Sequence, residues 1–166
     1  MSFEGRDLHA MDRISQRRFI NLLHGLLPED DDKTYFRLHH YIPYYVGRYD
    51  TPGETSKVVL VEGEPLFIIP GESRVRIQIF NLKGRRLSSV AFPTGWRIDL
   101  EGARIIRDGK DGSSLIEIST HLVIGGVDVA RQLYRVAGND VELVRLEDRE
   151  GRLIGNFPPH EIGPAN

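Results

Sequence analysis

The chain has 166 residues, 22 basic and 24 acidic side chains, a net charge of -2 and no cysteine. That length suffices for one self-supporting core, and the missing thiols exclude disulfides, thiolate zinc sites, iron-sulfur ligation and cysteine nucleophiles. Balanced charge leaves no global field to draw in nucleic acid or an anionic membrane, and no apolar run approaches the roughly 20 residues of a membrane span.

Residues 1–166 read as one domain: a helical segment over 8–41, a Tyr- and Pro-rich connection over 42–56, an antiparallel β region over 57–157 and a tail over 158–166. No apolar stretch of signal-peptide length opens the chain, so a cytoplasmic location is expected. Leu8, Met11, Phe19, Leu22, Leu23 and Leu26 fall on one arc at helical spacing, with Arg13, Arg17, Asn21 and His24 opposite. Gly25 is suited to end that helix in a left-handed conformation, and Pro28 blocks its continuation. The acids Glu29, Asp30, Asp31 and Asp32 favour the start of a second, shorter helix, which Pro43 stops by about Tyr41.

After Pro52-Gly53 the chain becomes a series of short β-prone runs over 57–62, 66–69, 74–82, 86–92, 104–107, 115–124, 127–136, 141–147 and 153–157. Pro70-Gly71, Lys83-Gly84, Asp111-Gly112, Gly138-Asn139 and Glu150-Gly151 punctuate them with turn chemistry. Val75, Ile77 and Ile79 alternate with Arg74, Arg76 and Gln78, the pattern of a strand with one dry and one wet face. No helix-length segments separate the runs, which disfavours a parallel sheet. The expected fold is mainly β, an antiparallel β-sandwich or flattened barrel with one or two N-terminal helices. A weak echo about 67 residues apart relates Phe80 to Leu87 with Leu146 to Leu153 and reads as shared turn chemistry.

Five of the six tyrosines, Tyr35, Tyr41, Tyr44, Tyr45 and Tyr49, fall within 15 residues, beside His39 and His40. Tyrosine joins a large ring to a hydroxyl, so such a cluster either completes a core or builds a wall for a ligand or partner. The binding reading places the site at Tyr41, Tyr44, Tyr45, Tyr49, His39 and His40. His39-His40 near the acids also raises a metal site. On a helix, however, Asp32 and His39 lie roughly 10 Å apart along the axis and adjacent histidines diverge by about 100°. No metal and no cofactor are therefore expected.

The segment Asp108-Gly109-Lys110-Asp111-Gly112-Ser113 looks like a calcium loop but has Lys110 where a ligand belongs, so it reads as a hairpin turn. Neither a Gly-x-Ser-x-Gly elbow nor a phosphate loop is present. Arg74, Arg76, Arg85 and Arg86 form a candidate basic stripe, to which Arg104 and Arg107 could add unless acids on neighbouring strands pair with them. The expectation is a non-enzymatic binding or interaction module for a protein or small-molecule ligand, with no membrane or nucleic-acid partner and with self-association left open. The alternative is a hydrolase or carbohydrate-active enzyme using Asp or Glu with His39, His40 or His121 in a β cleft.

Overall fold

The computed structural model describes residues 12–64, 73–94, 99–107, 111–124 and 126–154. Helix α1 (Arg13–Leu23) starts at Asp12, whose carboxylate accepts from the Ser15 amide, and Gly25 follows its end with φ 74°. Helix α2 (Asp32–His39) starts at Asp31, whose carboxylate accepts from the Thr34 amide and hydroxyl. His40 ends it in a left-handed conformation, φ 64°, so the helix stops just before Tyr41. The acidic run thus supplies a cap and a first-turn charge for α2.

Two four-stranded antiparallel sheets follow in simple meander order. The first holds β1 (Ile42–Tyr49), β2 (Lys57–Gly63), β3 (Ser73–Phe80) and β4 (Arg86–Thr94). The second holds β5 (Asp99–Arg107), β6 (Ser114–Ile124), β7 (Val127–Ala137) and β8 (Asp140–Glu147). Val59, Val61, Val75, Ile77 and Ile79 of the first sheet share one core with Ile116, Ile118, Tyr134, Val136 and Val141 of the second, so the sheets form a sandwich. A second apolar cluster joins Phe19 and Ile20 of α1 and Tyr35 of α2 to Val46, Val58, Leu60 and Phe80. The architecture is therefore three layers: helices, first sheet, second sheet.

This third layer corrects two sequence expectations. The face of β3 that carries Arg76 and Gln78 is roofed by the helices, and Gln78 is 1% exposed. On α1 the inward residues are Phe19, Ile20 and Asn21, with Leu23 packed against them as expected, while Leu22 is exposed. Asn21 faces in because its amide donates to the carbonyls of Pro28 (3.2 Å) and Asp30 (2.9 Å), fastening the loop between the helices.

The connection expected over 42–56 is also shorter than its residues suggest, since Ile42–Tyr49 is a strand paired with β2. Pro43 is accommodated because the register shifts between Pro43 and Tyr45, making Tyr44 the extra residue of a β-bulge. Among the described residues the only ladder partner of β1 is β2, and the residue after the strand is clasped to the second sheet by backbone and side-chain bonds. Asp50 and Ser114 exchange two bonds, Ser114 N–H to the Asp50 carbonyl (2.8 Å) and Asp50 N–H to Ser114 Oγ (2.9 Å). The 66–69 run and most of 153–157 lie outside the described residues; Leu153 bridges back to Glu147.

The sequence echo corresponds to one turn built twice. Asn81 N–H donates to the Arg85 carbonyl and Asp148 N–H to the Arg152 carbonyl. The Asn81 side chain accepts from the amides of Lys83 and Arg85, and Asp148 accepts from those of Glu150 and Arg152. Gly84 and Gly151 take φ 85° and 81°, a conformation glycine adopts without steric cost.

Candidate functional site

The tyrosines divide by strand geometry. Tyr49 is buried in the inter-sheet core, and its hydroxyl accepts the Val136 amide at 3.0 Å, joining β1 to β7. Tyr45 is half-buried; its ring lies over Gly47, where an added Cβ would fall 2.6 Å from Tyr45 Cε1, and its hydroxyl accepts from the Ile105 backbone. Tyr41 is buried under the Arg76 guanidinium, 3.9 Å from ring centroid to Cζ. Tyr44, the bulge residue, is 39% exposed. The four positions therefore do not form one aromatic wall: Tyr45 and Tyr49 tie the sheets together, while Tyr41 and Tyr44 sit at the start of β1 beside the end of α2.

Beneath that end of α2 lies a polar cluster centred on Glu62, which is fully buried. Glu62 is the last charged residue of an apolar strand, opposite Arg76 and Pro43 in the ladders, and so faces the helix layer with them. Its carboxylate accepts from the Tyr35 hydroxyl (3.1 Å), the Arg76 guanidinium (2.9 Å) and the Gln78 amide. His24 and His39 lie 4.7 Å apart between centroids with their rings tilted by 50°, and both meet the Tyr35 ring, His24 edge-on. Among the described residues, His39 Nε2, Arg76 Nε and Gln78 Oε1 are buried without a hydrogen-bond partner.

Sequence reasoning nominates His39 and Arg76 but misses Glu62, Tyr35, Gln78 and His24. The available signal is a single acid at the end of the run Val58-Val59-Leu60-Val61. His40 is exposed and its ring meets Phe36, away from the cluster. The side chains of Arg74 and His121 lie outside the described residues. Of the remaining arginines, Arg76 pairs with Glu62 and Arg104 with Glu117, as cross-strand charge matching predicts, and Arg107 lies 4.0 Å from Asp50. Arg85 and Arg86 are exposed and have no ion pair among the described residues. No group of three or more metal-ligating side chains occurs among the described residues.

Burial holds the His24 imidazole down at about 4, helped by the neighbouring charges of His39, Arg76 and Arg86; His39 is lowered by the same cause. The groups facing His24 are His39 and Tyr35 on α2, Arg76 and Gln78 on β3, and Arg86 on β4, with Glu62 of β2 behind them on Gln78. The unfolded ring titrates near 6.5, so between pH 6.5 and about 4 the unfolded chain binds the additional proton. Stability rises with pH across that window and is lost as pH falls through it. The expected loss is on the order of 2 kcal/mol after discounting for the solvent that reaches a half-buried ring. Urea midpoints across the window should slope steeply for the wild type and less for His24→Phe; parallel slopes would contradict the assignment.

A concavity of about 290 Å³, lined by Asp50, Ile105, Ile106, Arg107 and Ser114, opens where β1 meets the second sheet. Asp50 is already committed there to Arg48 (2.9 Å) and Ser56, which favour its charged form, although burial opposes them. No family model, no curated protein and no solved structure matches this chain.

Proposed function

We propose that the chain is a non-enzymatic binding module whose ligand or partner docks at the edge of the helix layer, on Tyr44, Tyr41, His39 and Arg76. One observation carries the reading: His39 Nε2 and Arg76 Nε are buried polar groups with no partner among the described residues, and the Arg76 guanidinium lies on the Tyr41 ring. An acceptor on a ligand would satisfy Arg76 Nε–H, and orphaned buried groups of this kind cost about 1 to 3 kcal/mol each when left unmade. The Tyr44 bulge adds an exposed ring on the same stretch of chain, and bulges commonly re-aim a side chain at functional edges.

The enzyme reading has its own support, because Glu62 and His39 come together with Tyr35. It is the weaker reading, since both carboxylate oxygens of Glu62 already accept hydrogen bonds from within the fold. Two-dimensional amide spectra recorded against oligosaccharide and peptide libraries separate the two. The binding reading expects hits that shift the amides of His39, Tyr41 and Tyr44, with affinity lost in Tyr44→Ala while its stability stays within about 0.5 kcal/mol of wild type. Hits unaffected by Tyr44→Ala would move the site elsewhere. Turnover of a glycoside or ester that Glu62→Gln abolishes would establish the enzyme.

A further inference from the structure

The second surface of interest is the β3–β4 hairpin. From Ser73 to Thr94 it carries Arg74, Arg76, Lys83, Arg85 and Arg86 and not one acid, in a chain whose net charge is -2. Arg76 is neutralised by Glu62. Lys83 and Arg85 stand exposed on the turn and Arg86 at the start of β4, and none has an ion pair among the described residues.

The twin turn shows that this charge is not needed for folding. Asp148 to Arg152 makes the same backbone and Asx bonds with the sequence Asp-Arg-Glu-Gly-Arg, in which Glu150 stands where the basic turn has Lys83. Two copies of one scaffold thus differ in what they display. The mixed copy pairs internally, with Arg149 on Asp128 at 3.0 Å, whereas the basic copy leaves its cations facing solvent.

The strand beyond the basic turn has the complementary property. Among the described residues the only ladder of β4 is with β3; β8 comes near it without forming one. From Leu87 to Phe92, between Arg86 and Pro93 at the two ends of the strand, this edge has neither charge nor proline, and Leu87 is 39% exposed. Edges that proteins keep from pairing usually bear a charge, a proline or a cover in that stretch. An uncharged edge accepts an extended backbone, and cations at its start select an incoming segment with acidic side chains.

We infer that the β3–β4 hairpin docks an extended acidic peptide segment of another protein, whose backbone adds to the edge of β4 that no described strand pairs while its carboxylates meet Lys83, Arg85 and Arg86. The edge recognises a peptide rather than a phosphodiester or a bilayer, because its free groups repeat at the spacing of a polypeptide strand. The surface is distinct from the Tyr44 edge, so each proposal can fail alone.

The test measures anisotropy of a fluorescein-labelled oligoglutamate peptide on the full chain, at low and high salt. Wild type should bind in a salt-sensitive way and should ignore oligolysine. Reversing the patch with Lys83→Glu, Arg85→Glu and Arg86→Glu together should weaken binding roughly 10- to 100-fold. Arg152→Glu, a reversal on the twin turn, should leave it unchanged. A triple Gln variant serves if the reversed protein melts early. Bound peptide should also slow hydrogen exchange at the β4 amides from Leu87 to Ala91. The inference is overturned if oligoglutamate does not bind, if Arg152→Glu weakens it as much as the triple variant, or if β4 exchange is unmoved. It is equally overturned if phosphatidylserine vesicles or single-stranded RNA bind the hairpin more tightly than the peptide does.

Discussion

Truncating Tyr49 to Ala should destabilise the fold by about 3 to 5 kcal/mol, while Tyr44→Ala, five residues earlier on the same strand, should change stability by less than about 0.5 kcal/mol. The contrast arises from where strand geometry puts the two rings. Tyr49 is 1% exposed and packs with Val59, Ile79 and Ile116 between the sheets. Its hydroxyl is the acceptor for the Val136 amide, so the side chain supplies both apolar contact and a bond across the sandwich. Tyr49→Phe isolates the second part: the ring stays, the amide of Val136 is orphaned, and the expected cost is about 1 to 3 kcal/mol. Urea denaturation with an unchanged slope would measure all three variants on one scale. A Tyr49→Ala protein that unfolds with the wild type would mean that β1 is held by its pairing with β2 alone.

Removing the Glu62 carboxylate is the other change of large expected effect. Glu62→Ala should cost about 3 to 5 kcal/mol, because it leaves Arg76, Tyr35 and Gln78 buried or half-buried with no acceptor. The effect should reach beyond the strand. Tyr35 is the ring on which α2 sits, so its lost bond should loosen the helix layer and speed hydrogen exchange in α2 more than in β6 or β7. Combining Glu62→Leu with Arg76→Met should recover part of the loss, since a pair replaced by apolar side chains leaves no uncompensated charge. If Glu62→Ala is neutral, or if the double variant is no better than Glu62→Ala, the cluster does not hold the helices down.

Much of the fold is legible in the residues. The acidic cap of α2, Gly25 and Pro28 mark the break between the helices, and the glycine-bearing turns at 83–84 and 150–151 sit between paired strands as their chemistry requires, whereas the start of α1 at Asp12 falls inside the helix expected from Leu8. The dry face of β3 is legible in Val75, Ile77 and Ile79. Its other face is not. Arg76 and Gln78 look solvent-bound in a strand taken alone, but α1 and α2 lie over that face, and the helix pattern does not say which sheet it will cover. The tyrosines are ambiguous for a related reason. A ring looks the same in sequence whether it lies between sheets, over a glycine or in a bulge, and the bulge at Tyr44 depends on pairing with residues beyond the intervening turn.

The sequence alone therefore determined what local physics controls: helix ends through capping, strand runs through alternation, turns through glycine and Asx chemistry, and the exclusion of thiol chemistry through composition. Only the tertiary structure decided which polar residues became a site. Glu62, Tyr35, Gln78 and His24 are up to 54 residues apart and carry no shared motif. They meet because the helix layer folds back over β2 and β3, and long-range burial of that kind is set by the packing of whole elements rather than by the spacing of neighbours.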